Sequence, residues 1–84
     1  MDTLTISLEG KSLSAIAEII RTNWINPSPY ALPYLEALEE LNSVNDNYYA
    51  DTALSVIIYF LANAQTWRGD TARLVKAHLK SLVK

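Results

Sequence analysis

Few side chains in this sequence are equipped for chemistry, and each sits in a pattern that a simpler role also explains. His78 is the sole histidine. A metal site needs several ligands converging on one point, and none recur at helical spacing around His78. A nucleophilic triad would need a serine and an acid brought to it in three dimensions. As sequence, His78 reads as a half-buried histidine at the edge of an apolar helix face. Gly10-Lys11-Ser12 has the ending of a phosphate-binding loop, but Thr5 stands where that loop requires its first glycine. A turn followed by a helix cap accounts for the same residues. Asn45-Asp46-Asn47 with Asp51 resembles part of a calcium loop, yet the central glycine and the closing bidentate glutamate are missing, Val56 taking the latter's place. Helix capping explains these side chains better. Arg68-Gly69-Asp70 spells a receptor-binding tripeptide, but each residue already has a structural task at a helix–helix corner.

Charge supplies the most functional-looking feature. The formal net charge is −2. Its distribution is uneven, because the segment from Trp67 to Lys84 carries Arg68, Arg73, Lys76, Lys80 and Lys84 against the single acid Asp70. The rest of the chain has only Lys11 and Arg21 among its basic residues. On a helix of 3.6 residues per turn, Arg73, Lys76, Lys80 and Lys84 share one outer face, a candidate face for an anionic partner. A helix-turn-helix reader of DNA has this outline. The overall pI of about 5.2 is low for a nucleic-acid binder, and the asparagine and glutamine that usually read bases are absent from this face. Lysines near a helix C-terminus also complement its dipole. The aromatic residues form a second candidate group. Trp24, Tyr48 and Tyr49 would make an anchor patch if exposed together, since Trp and Tyr dominate interface hot spots.

The elements that must position these groups are helical. Half of the 84 residues are hydrophobic and under a fifth are charged, which is globular composition. The sequence contains no cysteine, so disulfide, zinc-ribbon and thiol chemistry are excluded and packing alone must hold the fold. Thr3–Leu8 alternates polar and apolar residues as a half-buried strand does, and residues 1–10 read as an extended arm and turn. Leu13, Ile16, Ala17, Ile20 and Trp24 recur on one helical face, with Ser12 or Ser14 as cap. Pro27 and Pro29 close that helix. A second helix is predicted over about Tyr30–Leu41, with Pro33 in its first turn and an inward stripe of Ala31, Tyr34, Leu35, Leu38 and Leu41. Residues 42–47 read as a loop.

The third helix should start after Asp46 or Asp51, either of which can cap it, and run to about Trp67. It is apolar around most of its circumference, as is normal for a helix buried among neighbours or against a partner. Gly69 should end it in a left-handed conformation. Asp70 should then cap a fourth helix whose inner face is Leu74, Val75, Leu79 and Leu82. The expected fold is all-α: one domain over residues 1–84, built as a small bundle of three to four short helices with a short extended N-terminal arm. The longest apolar run, Ala53–Ala64, falls short of the ~20 residues needed to span a bilayer. The start of the chain also lacks the basic and apolar regions of a signal peptide, so a cytoplasmic chain is expected.

Asn23-Trp24, Pro33-Tyr34-Leu35-Glu36-Ala37, Asn45–Tyr49 and above all the stretch Tyr59–Arg73 (YFLANAQTWRGDTAR) resemble a family of small bacterial proteins. These are carried on phages, plasmids and chromosomes, and no activity is established for them. The resemblance covers the chain from about Leu13 onward. It implies a bacterial or mobile-element accessory setting, in which short proteins often act by binding other proteins, and it carries no catalytic role to any residue. The expected function is a non-enzymatic protein-interaction module, with self-association as a homodimer one form of it and no cofactor, metal, membrane or small-molecule substrate. Nucleic-acid binding through Arg73, Lys76, Lys80 and Lys84 is the alternative.

Overall fold

A computed structural model describes residue 8 and residues 10–83. Four helices are described: α1 (Leu13–Asn23), α2 (Leu32–Glu39), α3 (Ala53–Ala62) and α4 (Asp70–Leu82). A two-stranded hairpin, β1 (Asn47–Tyr48) and β2 (Asp51–Thr52), stands between α2 and α3. The chain is mostly helical, as its periodicity predicts. The helices close a ring in which α1 packs on α2, α2 on α3, α3 on α4 and α4 back on α1.

α1 forms where its spacing predicts. Leu13, Ile16, Ala17, Ile20 and Trp24 are all buried. Ser12 is the N-cap, its Oγ accepting from the Ala15 amide at 3.1 Å. Two further amides of the first turn, which no helix satisfies internally, reach α2's trailing segment instead. Leu13 N donates to the Asn42 carbonyl at 2.9 Å and Ser14 N to the Leu41 carbonyl at 2.8 Å. The start of α1 and the end of α2 are thereby locked together. Arg21 adds a bidentate ion pair to Glu39, its Nε 2.8 Å from Oε2 and its second nitrogen 3.3 Å from Oε1. α2 is shorter than predicted, because residues 28–31 are occupied by a turn in which the Ser28 carbonyl accepts from Ala31 and Leu32.

The region of residues 42–52 is more ordered than a plain loop. Asp46 caps no helix. Its Oδ2 accepts from the Asn42 and Ser43 amides at 2.9 and 3.2 Å, and its carbonyl accepts from Ala53 N at 3.0 Å. That closure pairs Asn47 with Thr52 and Tyr48 with Asp51, leaving Tyr49-Ala50 as a two-residue turn. The cap of α3 is neither expected aspartate but Thr52, whose Oγ1 accepts from Ser55 N at 3.1 Å.

α3 ends at Ala62, well before the predicted Trp67. Its last turn tightens there, as helices commonly do at a C-terminal end: the Asn63 amide bonds the Tyr59 and Phe60 carbonyls at 3.2 and 3.0 Å, and Asn63 Nδ2 also donates to the Tyr59 carbonyl at 2.9 Å. The chain then turns, and Trp67 is buried against α1. Its ring stacks on Trp24 with centroids 5.7 Å apart, and its Nε1 donates to Asn23 Oδ1 at 2.8 Å. Gly69 consequently follows no helix. It is the N-cap of α4, with φ 115° and ψ −179°, a region open essentially only to glycine. Asp70 is the first residue of α4 rather than its cap. The expected strand at Thr3–Leu8 lies outside the described residues except for Leu8, which is helical and buried in the core.

Two substitutions test this corner. Gly69→Ala meets no neighbouring atom, so its cost is conformational, about 1–3 kcal/mol. Asn23→Ala strips the partner from the indole N–H of Trp67 and should cost about 1–3 kcal/mol. Urea unfolding measures both. A change below about 0.5 kcal/mol, the range of neutral surface substitutions, would show that the corner is not under these constraints.

Candidate functional site

The solvent-facing side of a bundle helix normally carries charge. α1 conforms with exposed Glu18 and Arg21, α2 with Glu36 and Glu39, and α4 with Arg73 and Lys80. α3 does not. Its buried side is Ala53, Val56, Ile57 and Phe60. Its open side presents Leu54, Ile58 and Tyr59, exposed by 39, 52 and 51%, with partly buried Leu61 beside them. Leu54, Ile58 and Leu61 follow the i, i+4, i+7 spacing that puts three side chains on one stripe. No charged residue occurs from Thr52 to Trp67. The all-round apolar helix is therefore buried on one side only, since its ring neighbours α2 and α4 leave an apolar arc in water.

Tyr59 is held at the edge of this arc by Tyr34 of α2, whose ring stacks on it at 5.5 Å with an interplanar angle of 23°. A stacked pair fixes both rings at little entropic cost and offers flat apolar area with a polar tip. The arc and this pair lie side by side on the α2–α3 face.

The three aromatics singled out by sequence are not brought together. Trp24 is only 7% exposed and sits between Trp67 and the edge of Phe60, 6.3 Å away. It is a core residue. Tyr48 and Tyr49 meet edge to face at 4.7 Å on the hairpin. Tyr48 is half-buried, and desolvation, with the nearby charges of Glu40 and then Tyr49 and Glu36, raises its phenol above the ordinary value. Tyr49 is 86% exposed and adopts a left-handed φ of 54°, an uncommon conformation for a bulky residue.

The basic face is also rearranged. Arg73 and Lys80 are exposed, and Arg73 lies 3.6 Å from Asp70. Lys76 turns inward. Its Nζ donates to the Trp67 carbonyl at 2.6 Å and lies 5.9 Å from the Trp67 ring centroid. Desolvation, then the like charges of Lys80 and Arg68, hold its ammonium below the ordinary lysine range. The middle of the predicted stripe thus braces the α3–α4 corner, and Lys84 lies outside the described residues. Beside that corner a shallow groove of about 350 Å³ is lined by Trp67, Arg68, Gly69, Arg73 and Lys76. His78 lines a different open groove with Ser12, Ser43 and Ser81. There Ser81 Oγ donates to the His78 carbonyl, and among the described residues no serine hydroxyl bonds its imidazole. No cluster of three or more metal-ligating side chains occurs among the described residues, and no described helix is long and apolar enough to cross a membrane.

No protein-family model matches the chain, and neither a curated protein nor a solved structure is significantly similar to it. The site is therefore defined by geometry alone. Sequence reading did not single out Leu54, Ile58 and Tyr59. Their signal was the absence of charge along α3, which marks an apolar helix without telling which arc the neighbours leave open.

The hairpin supplies a direct test of its own strain. Tyr49→Gly is expected to raise stability by about 0.5–1 kcal/mol, because glycine adopts positive φ without a Cβ clash. Thermal unfolding followed by circular dichroism measures it. A fall in melting temperature would mean that the Tyr48–Tyr49 contact outweighs the backbone strain.

Proposed function

We propose that this chain is a non-enzymatic protein-interaction module whose docking surface is the outer arc of α3. The observation that supports this most is the uncharged stripe of Leu54, Ile58 and Leu61 with exposed Tyr59 beside it, on a protein whose other helices face water with charge. Burying such a stripe removes apolar area from water at roughly 25 cal/mol per Å². It also costs little in desolvation, because no charged group has to be stripped of its hydration. A stacked tyrosine pair at the rim adds the preformed aromatic contact that interface hot spots favour.

A photo-crosslinking amino acid placed at position 58 tests the reading in cells. A discrete protein adduct is expected from position 58 and none from position 18, which is exposed on α1. Equal yields from both positions, or none from 58, would contradict it.

A second reading, nucleic-acid binding at the α4 corner, is favoured by one observation. Arg68 and Lys80 have no carboxylate within ion-pair distance among the described residues, and Arg73 has only exposed Asp70. Under this reading random-sequence DNA binds at ~50 mM salt and is released steeply as salt rises, because displaced counterions set the slope. Failure to bind at that salt concentration eliminates it.

A further inference from the structure

We propose that Lys76 is a modification site: its ε-amine takes the acyl group of a small anionic donor, an acyl phosphate, bound in the groove at the α4 corner. The inference concerns this corner, not the α3 arc, and stands independently of the docking reading. The groove of about 350 Å³ is lined by Trp67, Arg68, Gly69, Arg73 and Lys76, so three of its five residues are cations and none is an acid. Asp70, 3.6 Å from Arg73, has a side chain 92% exposed and competes for that guanidinium only through solvent-screened charge. Arg68 has no carboxylate within ion-pair distance among the described residues. An acyl phosphate carries its negative charge on phosphoryl oxygens, which the arginine fork pairs with in bidentate geometry. The groove therefore sets two groups that hold a phosphate beside a nitrogen that can attack.

That nitrogen is positioned. Lys76 Nζ donates to the Trp67 carbonyl at 2.6 Å and lies 5.9 Å from the Trp67 ring centroid, which restrains a side chain that would otherwise sweep through solvent. Holding nucleophile and donor together lowers the entropic cost of attack. Only the neutral amine attacks a carbonyl carbon, and neighbouring cations favour that form. Burial, then the charges of Lys80 and Arg68, disfavour the ammonium here. In the reaction the nitrogen lone pair forms a bond to the acyl carbon and the bond from that carbon to the phosphate oxygen breaks. Inorganic phosphate leaves with the electron pair, one proton from the amine passes to water, and nothing is oxidised or reduced. The amide product keeps one N–H for the Trp67 carbonyl but loses the charge, and with it the attraction to the indole face.

Brief incubation of the full chain with acetyl phosphate near neutral pH, followed by peptide mass spectrometry, gives the initial acetylation rate of each lysine. Lys76 is expected to outpace Lys11 and Lys80, although both of these are more exposed, and to lose its lead in guanidinium chloride. A lead for Lys11 or Lys80, or a Lys76 lead that survives unfolding, overturns the proposal. Arg68→Gln combined with Arg73→Gln is expected to slow Lys76 several-fold more toward acetyl phosphate than toward the uncharged N-hydroxysuccinimidyl acetate. Equal slowing toward both reagents would falsify the assignment of an anionic donor to the groove.

Discussion

The Trp67 side chain is the constraint on which the rest of this structure depends. Its ring stacks on Trp24 at the end of α1, its Nε1 bonds Asn23, and its carbonyl takes the ammonium of Lys76 from α4. One residue between α3 and α4 thus fastens the end of α1 and the start of α4 to the same point. A buried indole is stable only if its N–H is paired, and Asn23 provides that partner from a different helix. The aromatic area buried there is large for so small a domain, where the margin of stability is a few kcal/mol.

Bringing Trp67 inward explains the local departures from a simple helical hairpin. α3 must stop early so that the chain can turn, and its last turn tightens at Asn63, whose amide reaches both the Tyr59 and Phe60 carbonyls. The turn then needs a residue that tolerates an extended backbone with positive φ, and Gly69 supplies it. Lys76, on the basic face by sequence, is drawn to the carbonyl this turn exposes. Its desolvation is offset by a short hydrogen bond and by the face of the Trp67 ring. The corner therefore removes one cation from the surface that sequence offered to an anionic partner.

The same closure decides what is left outside. Four helices in a ring give each helix two neighbours. α1, α2 and α4 are amphipathic, so two neighbours suffice. α3 is too apolar for two to cover, and Leu54, Ile58 and Tyr59 remain in water. An open apolar arc is a solubility liability, and it is this face that the proposed docking function uses.

Much of this was legible in the residues themselves. The periodicity of Leu13, Ile16, Ala17, Ile20 and Trp24, the cap at Ser12, the inward Leu35, Leu38 and Leu41, and the apolar character of α3 all follow from local spacing, because helix geometry fixes which residues share a face. Local pattern was enough for a mostly helical chain, an acidic body with a basic final helix, and one helix lacking charge. Long-range packing settled that Trp24 is core and not surface, that Thr52 caps α3 in place of Asp46 or Asp51, that the chain forms a hairpin at Tyr48–Asp51, and which arc of α3 stays open. Those outcomes depend on contacts between residues far apart in the chain, such as Trp67 with Asn23 and Tyr59 with Tyr34, and no local pattern encodes the partner across such a gap.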